Sequence, residues 1–307
     1  EKFAKMFDDE RIKASLMHRR GSLSMINRDY TEAKNLLQEA VSLRTSIFGD
    51  LDERTLASLH QLGRVFQYLG EYQEAETCYT NIFDAYKEQF GHESMETLHI
   101  QGDLGTLMVR LGRNEEALFH LERAALGKED INPLALTTLQ SWNNLASFFQ
   151  DQGNVERAEE IYLRCLSIFV EKYGQEQWET VTIRNNLSTL YGRQGKFKQA
   201  VIHLNTAYHF ISRQLGKNHP NTLMVQKNLS NALFASKRAN DALEHFEFVW
   251  KSLQKMLPPN HPKYIQLGIK ICEVLLELKQ QERCEEFIVP LLQYLRENTE
   301  NPNPNIL

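Results

Sequence analysis

Three asparagines, Asn144, Asn186 and Asn228, stand at equal intervals of 42 residues. A primary amide offers donors and an acceptor, as does each peptide unit of an extended chain. A regular row of amides can therefore hold a polypeptide by its main chain. The bland alternative is that each asparagine bonds a neighbouring helix and only fixes spacing. Arg19, Arg64, Arg110, Arg193, Lys227 and Lys270 recur in the same segments. Charge-assisted bonding would then favour an acidic or phosphorylated segment. Asp103, Asp151, Glu273 and Glu277 interrupt the basic run, so the charge preference is weak.

Catalytic patterns find no comparable support. His92-Glu93 opens like a zinc-protease HExxH, but the residue that must be the second histidine is Glu96. His219-Pro220 and His261-Pro262 recur at the same interval and fit loop packing better than catalysis. There is no GxxxxGK[ST], no GxGxxG after a strand and no GxSxG. Cys272 and Cys284 lack the second pair that a zinc site would need. No catalytic residue, metal or cofactor is expected, and the chain is read as a non-enzyme.

The elements that position the asparagines follow from periodicity. Trp142, Leu145, Ala146 and Phe149 fall at i, i+3, i+4 and i+7, one face of a helix. Ala158, Ile161, Tyr162 and Cys165 repeat that spacing, and Gly153 between them marks the chain reversal. The register recurs throughout. The small residue of the first helix is Gly21, Gly63, Gly105, Ala146, Ser188, Ser230 and Cys272. That of the second is Ala33, Ala75, Ala117, Ala158, Ala200, Ala242 and Cys284, with Arg28, Gly70, Gly112, Gly153, Gly195, Lys237 and Lys279 at the turn. Thr55, Thr97, Thr138, Thr180 and Thr222 open most units. The step is 42 residues except from Gly105 to Ala146, which is 41. Asn186-Leu-Ser188 and Asn228-Leu-Ser230 match glycosylation sequons. Their serines sit in the small-residue column, so a glycan is rejected.

The order W-x2-L-A-x2-F, then alanine, then an aromatic resembles the tetratricopeptide repeat. Asn185 to Tyr191, Gln194 to Ala200 and Leu215 to Pro220 are similar to pieces of the kinesin light chain type, whose units are longer than the usual 34 or so residues. The resemblance covers roughly residues 10–297. It implies an all-α, right-handed α-solenoid of about seven helix-turn-helix repeats, near 10–49, 52–91, 94–134, 136–174, 178–216, 220–258 and 263–297. It also implies that first helices line a concave groove and that asparagines there hold cargo peptides. Transferred by register, the groove residues are Arg19, His60, Arg64, Arg110, Asn143, Asn144, Ser147, Asn185, Asn186, Thr189, Arg193, Lys227, Asn228, Asn231 and Lys270.

An unbroken period argues for one module over 1–297, since each repeat buries its face against neighbours. Residues 1–9 are expected to end a preceding helix or form a cap, and 298–307 to be a mobile tail. In the third repeat, Gly127 and Pro133 predict a second helix ending near Leu126, a longer loop and altered curvature. Pro258, Pro259 and Pro262 predict a stiff connection into the last repeat.

A net charge of −5 and a pI near 6.1 give no case for nucleic acid. No stretch reaches the ~20 apolar residues of a membrane span. The four cysteines read as buried hydrophobes of a reducing, cytoplasmic compartment. Glu1 in place of a starting methionine points to a piece of a larger protein. Two functions follow: an adaptor that binds a partner's peptide in its groove, or a regulatory sensor region whose groove holds a segment of its own parent chain.

Overall fold

A computed structural model describes residues 2–175, 177–256 and 261–299. Among them the chain is all helix, with no strand. It divides into two compact units at Gly153/Asn154. The first holds α1 (Lys2–Ile26), α2 (Tyr30–Phe48), α3 (Glu53–Leu69), α4 (Tyr72–Phe90), α5 (Met95–Arg110), α6 (Asn114–Ile131) and α7 (Leu136–Asp151). The second holds α8 (Val155–Tyr173), α9 (Trp178–Arg193), α10 (Phe197–Leu215), α11 (Pro220–Ala235), α12 (Ala239–Gln254), α13 (Pro262–Glu277) and α14 (Gln281–Thr299). Within each unit successive helices pack on one another, the arrangement of an α-solenoid. The expected tail from residue 300 on, and the expected stiffening by Pro258 and Pro259, lie outside the described residues.

The register explains the helix ends. Gly70, Gly112, Gly153 and Gly195 adopt φ of 79°, 74°, 80° and 73°, the left-handed region that closes a helix. The non-glycine residues in that column take it too: Arg28 at 63°, Lys237 at 66° and Lys279 at 59°. Three of the opening threonines lock the incoming loops. The Thr97, Thr138 and Thr222 hydroxyls each donate at 2.8 Å to the carbonyl six residues earlier, on Gly91, Asn132 and Gly216. All three threonines are buried, so each bond satisfies a polar group that water cannot reach.

The small residues of the first helices do two different jobs. In the first unit they make room for a large side chain of the following helix. A Cβ on Gly63 would lie 2.7 Å from the Tyr79 ring, and one on Gly105 2.8 Å from Leu121 Cγ. In the second unit two of them reach across the hairpin, while the Ser230 hydroxyl donates within its own helix to the Gln226 carbonyl at 2.8 Å. Ser188 Oγ donates at 2.6 Å to the Arg184 carbonyl and at 3.3 Å to that of Ala200, while Cys272 Sγ lies 3.7 Å from the Cys284 carbonyl oxygen.

The third repeat departs from expectation. Helix α6 does not stop near Leu126 but runs to Ile131, and the loop after it is four residues long. Gly127 sits inside the helix because Leu98 fills the space a Cβ would need, 2.7 Å away. The missing residue of the 41-residue step is therefore one residue of α6, which has 18 where α2 and α4 have 19. Without a long loop there, the ground for an altered curvature is gone.

Candidate functional site

None of the fifteen expected groove residues is buried; each is exposed or half-buried. They come from first helices: α1, α3, α5 and α7 in the first unit, and α9, α11 and α13 in the second.

In the second unit five of them share one cavity of about 370 Å³. Asn185 and Thr189 of α9, Asn228 and Asn231 of α11 and Lys270 of α13 form its polar wall, and Phe197, Ala200 and Leu204 of α10 its apolar floor. Asn228 Nδ2 donates to Asn185 Oδ1 at 3.1 Å. Thr189 Oγ1 turns back to the Asn185 carbonyl at 3.1 Å. Lys270 Nζ lies 2.5 Å from Glu273 and 5.5 Å from the Phe234 ring centroid. Asn186, Lys227 and Arg193 are outside this lining.

The amide row thus runs on a diagonal. Asn228 meets Asn185, 43 residues back, and not Asn186, its counterpart 42 residues back. The first unit repeats the offset: His60 Nε2 lies 2.8 Å from Asp103 Oδ2, again 43 residues apart. Successive first helices are displaced so that one residue faces the next column. The sequence register, which aligns like with like, does not report that displacement.

In the first unit the expected residues are spread over separate sites. Arg110, Asn144 and Ser147 line a cavity of about 180 Å³ with Asp151 and Phe148. His60 lines another of about 370 Å³, with His18, Met95, Glu96 and His99. Arg64 Nη1 reaches Gln61 Oε1 at 3.4 Å, Arg19 is exposed, and Asn143 is half-buried on α7. Asp103, taken as a break in the basic run, instead faces two imidazoles, His60 and His99 at 3.8 Å.

Three buried cations lie outside the sequence reading, Arg44 and Lys128 on second helices and Arg184 on α9. Arg44 Nη1 donates to the Arg54 carbonyl at 2.6 Å and to Ser58 Oγ at 2.8 Å. Lys128, 3% exposed, donates to Ser141 Oγ at 2.9 Å. Burial draws both below their ordinary pKa, since a desolvated cation loses hydration. Arg44 and Lys128 share one column of the second helix with Tyr86, and that recurrence was the available signal. The cysteines are buried, and burial pushes the Cys78 thiol up to about 12. That makes Cys78 a poor nucleophile.

Family models of the tetratricopeptide repeat match residues 13–80, 60–125, 137–210 and 222–263. Tetratricopeptide repeat protein 23-like of Mus musculus is 24% identical over 169 residues, 54% of this chain and 37% of the relative. The chain thus spans about a third of that protein. A Podosopora anserina protein described as a kinesin light chain with nearly identical TPR-like repeats superposes with a TM-score of 0.60 at 21% identity, over 69% of this chain and all of that one. BtubC (BKLC) from P. vanneervenii gives 0.57 at 19%, over 83% and 94%. Aspartyl phosphate phosphatase F from Bacillus subtilis gives 0.65 at 14%, over 94% and 72%. At these identities the likeness shows the fold alone. Among the described residues no helix is long and apolar enough to cross a membrane. Tetratricopeptide repeats generally mediate protein–protein interaction and are typically non-enzymatic scaffolds. With the repeat models matching across most of its length and the helical hairpins following the same register, the chain belongs to the tetratricopeptide repeat family.

Proposed function

We propose that the chain is a non-enzymatic adaptor that takes a short extended peptide on its first-helix faces, with the cavity of Asn185, Asn228, Asn231 and Lys270 as the principal seat. The observation that carries this reading is the convergence of five expected residues on one open cavity with an apolar floor. The Asn228–Asn185 bond uses one amide donor and one amide oxygen. It leaves Asn185 Nδ2 and Asn228 Oδ1 to address a peptide's carbonyl and N–H. Lys270 adds a cation suited to a carboxylate or phosphate. The unbroken register over residues 10–297 supports reading them as one module. Buried free thiols fit a reducing compartment such as the cytoplasm.

A handful of net hydrogen bonds at about 0.5–1.5 kcal/mol each, with an apolar anchor on Phe197 or Leu204, gives roughly micromolar affinity. Arrays of acidic, phosphorylated and neutral peptides test it. Asn228→Ala with Asn231→Ala should reduce capture at least tenfold while the melting temperature stays nearly unchanged. Capture that survives a sharp fall in melting temperature would make the amides structural and end the proposal. The alternative is a regulatory sensor region whose seat holds a segment of its own parent chain. It is favoured instead if peptides from the parent protein outbind all others on the array.

A further inference from the structure

We infer that His60, His99 and Asp103 form a binding site for one divalent transition-metal ion of the zinc class. The ligand atoms of these three side chains all lie within 4.8 Å of one another. His60 Nε2 and Asp103 Oδ2 are 2.8 Å apart, and His99 Nε2 and Asp103 Oδ2 3.8 Å apart. Zinc bound tetrahedrally at about 2.0–2.1 Å needs ligand atoms roughly 3.3 Å apart. The two distances bracket that separation, so side-chain rotations suffice and the backbone can stay where it is.

Two helices supply the set. His99 and Asp103 stand at i and i+4 on α5, one turn apart on the same face. His60 comes from α3, with its ring centroid 5.8 Å from that of His99. The side chains are 22% (His60), 33% (Asp103) and 53% (His99) exposed. An ion could therefore enter from solvent and retain an open coordination position. Two imidazoles and one carboxylate with open positions suit zinc, cobalt, nickel or iron(II), and fit calcium or magnesium poorly. The cavity that His60 and His99 line also carries Glu96 and His18. The ion would replace the proton shared by His60 and Asp103 and pin α3 to α5. This rests on the three-residue geometry and not on the peptide reading.

The test is calorimetric titration of chelator-treated protein with zinc sulfate, and with cobalt(II) followed by visible absorption. The expected result is one ion per chain, a rise in melting temperature on loading, and a cobalt spectrum of low-symmetry nitrogen–oxygen coordination. His99→Gln, on the most exposed ligand, leaves folding intact and should weaken binding at least tenfold. His60→Gln and Asp103→Asn should do the same. The inference is overturned if zinc does not bind. It is equally overturned if the three variants, shown folded by circular dichroism, bind as tightly as the parent.

Discussion

The two compact units present first-helix faces built on one register with different chemistry. In residues 1–153 the face carries titratable groups, with His60 paired to Asp103 and His99 beside it. In residues 154–307 the equivalent diagonal contact is between neutral amides, Asn185 and Asn228. The small-residue column changes with it, from Gly21, Gly63 and Gly105 to Ser188, Ser230 and Cys272. A repeat therefore fixes where a side chain stands and which neighbour it meets. It leaves free whether that meeting is ionic, metal-competent or amide-like. The first face brings imidazoles to a carboxylate, the second an amide to an amide.

The largest effect should come from exchanging the small residues between the units. Gly105→Ser puts a Cβ 2.8 Å from Leu121 Cγ and 3.0 Å from the Leu121 backbone nitrogen. Backbone cannot move aside cheaply, so overpacking should cost about 1–3 kcal/mol in denaturant unfolding. That loss is set against the higher helix propensity of serine. A neutral result would mean that glycine in this column is drift, and that the units do not differ in how their hairpins close.

A smaller effect comes from acid, since burial lowers imidazoles in both units, His18, His99 and His120 in the first and His203 and His245 in the second. His203 Nδ1 accepts from Arg184 Nη1 at 3.3 Å, and His245 Nδ1 accepts from Gln226 Nε2 at 3.1 Å. Burial is the main reason both imidazoles are held below their ordinary pKa. Arg184 lowers His203 further. His209 and Arg238 lower His245 while Glu244 and Asp241 partly oppose them. Protonation would also set two donors against each other. Below about pH 6.5, the unperturbed value, the unfolded chain binds protons that the folded chain refuses. Stability is therefore fully present above that pH and falls as pH drops toward the depressed folded values. Unfolding midpoints between pH 7.5 and 5.5 should show the fall, and His203→Gln with His245→Gln should make it shallower, leaving the part that His18, His99 and His120 contribute. An unchanged slope in the double variant would assign the acid sensitivity elsewhere.

Much of the architecture was legible because three columns share one period: the small residues, the turn residues and the opening threonines. The turn column aligned Arg28, Lys237 and Lys279 with the glycines, and the structure gives them the same left-handed conformation. What stayed hidden depends on distances between repeats. Neither the one-residue displacement that joins Asn228 to Asn185 nor the meeting of His60 with Asp103 follows from aligning like positions. Gly127 misled for a related reason. A helical glycine reads as a stop until the side chain of Leu98 is seen to occupy its place. The division of the expected groove residues among separate cavities needed coordinates.

The smallest effect tests whether the difference between the units reaches the turns. Lys237 holds φ of 66° and Arg28 63°, where Gly195 and Gly112 hold 73° and 74°. A side chain in this region costs roughly 1–2 kcal/mol, and glycine removes that strain. Glycine also has more freedom to lose on folding, about 0.5–1 kcal/mol, which offsets most of the gain. The exposed Lys237–Glu277 pair at 3.7 Å contributes little. Lys237→Gly and Arg28→Gly should therefore each stabilise by a few tenths to about 1 kcal/mol, read as a shift in denaturant midpoint at constant slope. Equal gains in both would confine the divergence of the two units to their first-helix faces. A gain in only one would mean that the turns have diverged as well.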